Sequence, residues 1–360
     1  MSFKHTAKLQ LKELYARTLY HTGLHRLVDR LMPRRMLILF GHCIEDEAVN
    51  GFLPGDMKMR ESTFRKLVGM FGKHYDLVTI GEGWRALKGG DKGRSLVAFS
   101  FDDGYRDNVT RLLPLLEETG AKATVFLETL PLSGEQVNWS HKFHWVIRPE
   151  AGGDIEGLVR RYLTLSEDAA ALEGLRRALE DGDQRLAYRA KRVLKYEADP
   201  EDRDRTLDRI FEEAGGDEAA LCRAMYLSWE DARRMAAGPM ELGGHTVHHA
   251  ILSRLDEQGS AAEIGACASD LRRELGEDAL HTFAYPFGRR WDYHEAAIAA
   301  VEAEGFECAV NTHAGTVGPD SPRWELKRLP IDDHSKPHLL VAEACGGFDL
   351  LRRFGLDLSE

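Results

Sequence analysis

Residues 95–108 read SLVAFSFDDGYRDN: a run of apolar and aromatic residues that stops on two aspartates and a glycine. Such a run is the signature of a buried strand, and the acids stand where that strand ends. Working outward, residues 36–42 (MLILFGH), 75–80 (YDLVTI) and 122–128 (KATVFLE) read as further strands. Between them, residues 62–74, 81–90 and 108–120 carry apolar side chains at helical spacing, the last stretch closed by Gly120. The rhythm resumes with a helix over 228–238, a strand over 240–245 (MELGGH) and a helix over 261–276. It continues with a strand at 281–288 (HTFAYPFG), a helix over 293–305, a strand at 306–312 (FECAVNT) and a last short one at 325–331 (ELKRLPI). Strands alternating with helices imply a parallel sheet with right-handed crossovers, either open or closed into a barrel.

Two segments break the alternation. In residues 151–225, 31 of 75 residues are charged and the leucines fall at helical spacing, so a helical insertion is expected there. Residues 1–36 read as an amphipathic helical arm with eight Lys or Arg against Glu13 and Asp29, a local +6 on a chain whose remainder is −17. Two readings of the arm stand: a packing helix with a solvated basic face, or a peripheral contact with anionic lipid. The expected organisation is thus the arm (1–36), a first part of the α/β unit (37–150), the insertion (151–225), a second part (226–335) and a tail (336–360).

With 360 residues, 43% of them hydrophobic, and a net charge of −11, the chain has the composition of a folded domain with a full core. No nucleic-acid partner is expected, because the surface outside the basic arm would repel it. Cys43, Cys222, Cys267, Cys308 and Cys345 are odd in number and scattered, which argues against a disulfide framework or a zinc ribbon. Without a signal-like apolar stretch among the first residues, a cytoplasmic location is expected.

Three strand ends carry the chemistry: Asp102-Asp103-Gly104, His245-Thr246-Val247-His248-His249 and Pro286-Phe287-Gly288. In a parallel α/β fold the C-terminal ends of strands share one face, so the three can converge. Of two adjacent carboxylates, one would ligate a metal and the other act as a base. His245 and His249 stand at i and i+4, so one helical turn would aim both at one ion. The same spacing occurs at His21/His25 and His334/His338, but only His245 follows a strand and a Gly-Gly. Two His and a carboxylate leave coordination positions open, as in a hydrolytic metal site, and a backbone N–H such as that of Phe287 would hold the oxyanion.

In this order, GHC (41–43), FDDGYRDN (101–108), ATVF (123–126), WEDARRM (229–235), GGHTVHHAILS (243–253) and FAYPFG (283–288) resemble the polysaccharide deacetylases, the NodB-homology or carbohydrate esterase 4 group. The resemblance covers roughly residues 36–335 apart from the insertion. It implies an α/β fold, a distorted (β/α)7 TIM-like barrel, with Asp102 as general base and Asp103, His245 and His249 as metal ligands. It also implies metal-dependent removal of an acetyl group from an N-acetylated amino sugar. Zinc is the usual ion, with cobalt or nickel compatible with the same ligands. Two family features are missing from their usual places. No Arg precedes the third motif to steady the base, and no late Leu-x-x-His supplies the acid. His42 is the leading candidate for that acid, followed by His313 and His334.

The cytoplasmic reading favours an amino sugar on a lipid-linked or nucleotide-linked precursor over an exported polymer. The rivals are a deformylase or other amide hydrolase on the same scaffold, and an inactive carbohydrate-binding relative. Retention of the base together with all three ligands speaks for a hydrolase.

Overall fold

The computed structural model describes residues 3–90, 92–134, 136–148, 152–181 and 185–356. The chain divides into two compact units, one comprising 1–45, 56–129 and 229–360, the other 46–55 and 130–228.

The first unit is built on β1 (Met36–Gly41) and β5 (Leu96–Phe101), in which every residue is buried. They pair in parallel from Met36↔Leu96 to Gly41↔Phe101. Next to β1 lies the short parallel pair β2 (Cys43–Ile44) and β3 (Lys58–Met59). The remaining strands are β4 (Asp76–Val78), β6 (Ala123–Leu127), β7 (Met240–Gly244), β8 (Thr282–Ala284), β9 (Cys308–Val310) and β10 (Leu329–Pro330). The sheet order is β10-β1-β5-β6-β7-β8-β9, with β4 beside the first half of β5 and β6 beside its second half. Leu326, just ahead of β10, bridges Val310 of β9 in parallel, so β10 and its lead-in close the circuit into the expected barrel.

Side-chain alternation along β5 determines which residues meet the barrel axis. Phe99 and Phe101 point outward and pack edge-on against Phe64 of the helix Glu61–Phe71, at ring distances of 5.1 and 5.7 Å. Ser100 therefore points inward, and Asp102, two residues further, follows it. The helix Leu113–Thr119 ends on Gly120 at φ 68°, the left-handed position a glycine C-cap supplies.

The arm forms two helices, Phe3–Thr22 and His25–Leu31. Residues 336–360, expected as a tail, instead supply two more helices, Pro337–Ala344 and Gly347–Arg353. Ala342, Cys345 and Phe348 bury against Ala16 and Leu19 of the arm, which is why this segment is ordered. None of the helices is long and apolar enough to cross a membrane.

In the same cluster of helices Glu343 is buried 3.7 Å from Arg352, and burial pushes its carboxyl up to about 6. Its folded value exceeds the 4.5 of an ordinary glutamate, so the folded state keeps the proton longer, and stability falls as pH rises from about 4.5 through 6. Glu343→Gln removes that loss. Relative to wild type, the variant should gain about 1–2 kcal/mol between pH 4.5 and pH 8 in urea unfolding; an equal difference at both pH values would refute the assignment.

The second unit is helical and begins at Leu130 rather than 151. Asn138 caps the helix Trp139–Val146, whose Trp145 ring packs 4.6 Å from Phe211, while Arg203 lies 4.4 Å over Trp139. The WSHKFHWV stretch is aromatic rather than charged, so charge density could not mark it as part of the insertion.

Candidate active site

The C-terminal ends of β1, β5, β7 and β8 bring His42, Asp102, Asp103, His245, His249 and Phe287 to one end of the barrel. Among the described residues, the non-glycine positions at positive φ are Asp103 (74°), Thr246 (65°), His249 (51°) and Phe287 (60°). All four lie in this site. Such backbone costs roughly 1–3 kcal/mol per residue and persists where surrounding contacts over-determine it.

Those contacts can be traced through FDDGYRDN. Asp107 accepts the N–H of Ile44 at 2.7 Å, and Asn108 Nδ2 donates to the His42 carbonyl at 3.3 Å, which ties the end of β1 to the turn after β5. The Tyr105 hydroxyl donates to Asp103 Oδ2 at 2.9 Å and fixes the rotation of that carboxylate. Its Oδ1 then faces His245 Nε2 at 3.5 Å and His249 Nε2 at 3.4 Å.

The helical turn expected for His245–His249 does not form; these residues make an irregular loop. Glu263 explains it, because its carboxylate accepts the N–H groups of both Val247 and His248 at 3.1 Å and pairs with the His248 ring. His248 is thereby held outward, 57% exposed, while its neighbours face in. His245 Nδ1 donates to the Ala284 carbonyl at 2.7 Å. A carbonyl can only accept, so this bond puts the ring proton on Nδ1 and leaves the Nε2 lone pair for a cation.

Asp103, His245 and His249 are all buried, and their ligand atoms lie within 4.8 Å of one another, the one such trio among the described residues. A tetrahedral ion with arms of roughly 2.0–2.1 Å spaces its ligands about 3.4 Å apart. The observed carboxylate-to-imidazole distances match that edge, so the donor set fits a divalent metal such as zinc. Burial pushes the Asp103 carboxyl up, but His245, His249 and His42 outweigh it and hold the group well below the usual carboxylate range. The other two His pairs assemble nothing comparable: His25 bonds the Leu19 carbonyl, and His338 pairs with Glu13.

Asp102 stands beside the trio with a different partner. Arg328, fully buried, donates Nη1 to Asp102 Oδ1 at 2.7 Å and Nη2 to Oδ2 at 2.9 Å. Its Nε donates to the Asn311 carbonyl at 3.0 Å, and its guanidinium lies 4.5 Å over the Phe40 ring. The arginine absent ahead of the third motif is thus supplied from the lead-in to β10. Sequence reasoning missed it, because Arg328 stands beside Lys327 just ahead of a two-residue strand, where a charged residue gives no signal of burial.

His42 reaches the site from β1, lies close enough to act on the Asp103 charge, and has a buried Nδ1 without a hydrogen-bond partner. The His313 carbonyl accepts the backbone N–H of Arg328 at 3.0 Å, and the His334 side chain is exposed. Phe287 sits with its ring 4.7 Å from that of His249, and its carbonyl accepts the Thr312 hydroxyl at 3.0 Å.

The family model described as polysaccharide deacetylase matches residues 89–137 and 205–309, and the gap between them falls in the helical unit. The putative polysaccharide deacetylase YxkH of Bacillus subtilis (strain 168) is 26% identical over 106 residues, 29% of this chain and 37% of that protein. The match therefore spans little more than a third of that relative. Among solved structures, the Streptococcus pyogenes deacetylase PplD in complex with acetate superposes with a TM-score of 0.56 at 16% identity, covering 87% of this chain and 99% of that one. IcaB from Ammonifex degensii gives 0.54 at 15% identity over 87% and 98% of the two chains. At these identities the structures establish the shared barrel fold. The family model, which covers most of the segments that carry the motifs, and the YxkH match support the polysaccharide deacetylase family for this chain.

Proposed function

We propose that this site hydrolyses the acetamide of an N-acetylated amino sugar with the help of one divalent cation, zinc being the first choice. The observation that carries the reading is the division of labour between neighbouring carboxylates. Asp103 joins two imidazoles, whereas Asp102 is kept out of that trio by the Arg328 fork. A cation held by Asp103, His245 and His249 would polarise the acyl carbonyl and make a water more acidic.

The chain's own residues supply the rest. Asp102 takes the proton of the attacking water, and Arg328 keeps the carboxylate oriented for that transfer. The Phe287 backbone N–H is assigned to the oxyanion that develops when water oxygen adds to the acyl carbon. His42 is assigned to the leaving nitrogen: as the C–N bond breaks, a proton passes to the amine, and the products are acetate and the free amino sugar. That the S. pyogenes deacetylase was solved with acetate supports the choice of acyl group.

Metal analysis paired with acetate release from N-acetylglucosamine oligomers tests the reading. About one divalent ion per chain is expected, with turnover. Asp102→Asn should lower kcat by about 10²–10⁴-fold and keep the metal. Formate release from a formamido sugar in place of acetate would move the assignment to a deformylase. A wild-type protein that stays inactive after zinc or cobalt is supplied would overturn it in favour of a sugar-binding protein.

A further inference from the structure

Among the described residues, the large hydrophobic side chains that remain exposed are unevenly placed. Leu9, Leu11, Leu14, Leu24, Leu27 and Leu31 lie in the arm, and Phe354 and Leu356 follow the helix Gly347–Arg353 that packs against it; only Tyr188 and Trp291 lie elsewhere. The helix His25–Leu31 buries none of its residues completely. Leu24, Leu27 and Leu31, 45, 53 and 75% exposed, fall at i, i+3 and i+7 and form one stripe.

Arg26 and Arg30, one turn apart, flank that stripe and line a recess of about 510 Å³ together with Arg34, Lys73, His74 and Arg94. The acid in the recess, Asp29, is already engaged at 2.7 Å by Arg35. The recess is cationic enough to act on its own members: burial and the neighbouring Arg26, His25, Arg94 and Lys73 all push the His74 pKa down. His74 precedes β4, Arg94 precedes β5 and Arg34 precedes β1. The recess therefore opens at the N-terminal ends of these strands, the opposite end from Asp102 and His245.

We propose that the leucine stripe and the adjoining arginine-lined recess form a docking surface for an anionic phospholipid membrane. Leucines enter the boundary between headgroups and acyl chains, and the recess receives lipid phosphate. Charge complementarity selects this occupant: residues 1–36 carry +6 against −17 over the remainder, and Lys73 and Arg94 add to the arm's charge at the recess, so this face is attracted to an anionic surface. A second copy of the chain would bring one cationic recess against another. Because the surface lies away from the catalytic end, the inference stands independently of the proposed reaction.

Co-sedimentation of the full chain with vesicles tests it. Binding is expected to phosphatidylcholine vesicles containing 40% phosphatidylglycerol, and not to pure phosphatidylcholine, with at least a tenfold loss between 0.1 and 0.5 M NaCl. Arg26→Glu/Arg30→Glu and, separately, Leu27→Glu/Leu31→Glu should each weaken binding about tenfold or more. Thermal unfolding should stay unchanged, because these side chains are exposed. Failure of the wild-type protein to bind the anionic vesicles, or binding by both variants as tight as that of the wild type, would overturn the proposal. So would a wild-type dimer in light scattering that Leu27→Glu/Leu31→Glu converts to monomer, which would make the stripe a contact between copies.

Discussion

Arg328→Ala is expected to cost about 3–5 kcal/mol of global stability, as read by urea unfolding, and to abolish measurable turnover. The arginine is fully buried and both its Nη atoms are committed to Asp102, so its removal leaves a buried carboxylate without its cation. The Asn311 carbonyl also loses its Nε–H donor, and the Phe40 ring loses the plane stacked over it. Stability alone would not separate a positioning role from a structural one, and Arg328→Lys does. Lysine keeps the positive charge but replaces a planar fork by a single ammonium, so it holds one carboxylate oxygen and lets the group rotate. The expected result is a smaller stability loss, about 1–3 kcal/mol, with kcat reduced at least tenfold, KM nearly unchanged and metal content intact. A lysine variant with wild-type kcat would show that the fork holds the barrel together and does not orient the base.

That arginine also marks where the sequence stops being readable. Most strands were legible because they are apolar runs bounded by polar or glycine residues, and three of them end in the groups proposed to do the chemistry. Convergence of Asp102, Asp103, His245 and His249 followed from parallel topology alone, since parallel strands place their C-terminal ends together. Arg328 needed the closure of the barrel: it is 226 residues from Asp102 in sequence, and only the pairing of β10 with β1 and of Leu326 with β9 turns it toward β5. No local pattern encodes such a distance.

The loop after β7 was half legible. The buried histidines of the trio were singled out by their context, but a spacing of four suggested a helical turn, whereas the backbone takes positive φ at Thr246 and His249. The determinant is Glu263, on a different helix, whose carboxylate replaces the missing intrahelical acceptors. The boundary of the helical unit failed for another reason: charge density located its exposed faces and overlooked Trp139, Phe143 and Trp145, whose apolar character resembles barrel core.

His245→Ala should remove the metal, and the neighbouring histidine provides the control. His245 offers Nε2 to the trio because Nδ1 is engaged by the Ala284 carbonyl; alanine deletes a ligand that is already pre-oriented. Two remaining ligands give far weaker affinity, so metal per chain after dialysis should fall from about one to near zero, and turnover at least 10³-fold. His248→Ala, three residues on and turned outward against Glu263, should retain the metal and most of the activity. A readout that does not depend on turnover comes from stability. If zinc binds only the folded chain, a free concentration a hundred times the dissociation constant stabilises the wild type by about 2.7 kcal/mol. The same zinc should leave the unfolding midpoint of His245→Ala unchanged and still raise that of His248→Ala. Equal metal content and equal zinc-induced stabilisation in wild type and His245→Ala would overturn the assignment of the cation to Asp103, His245 and His249.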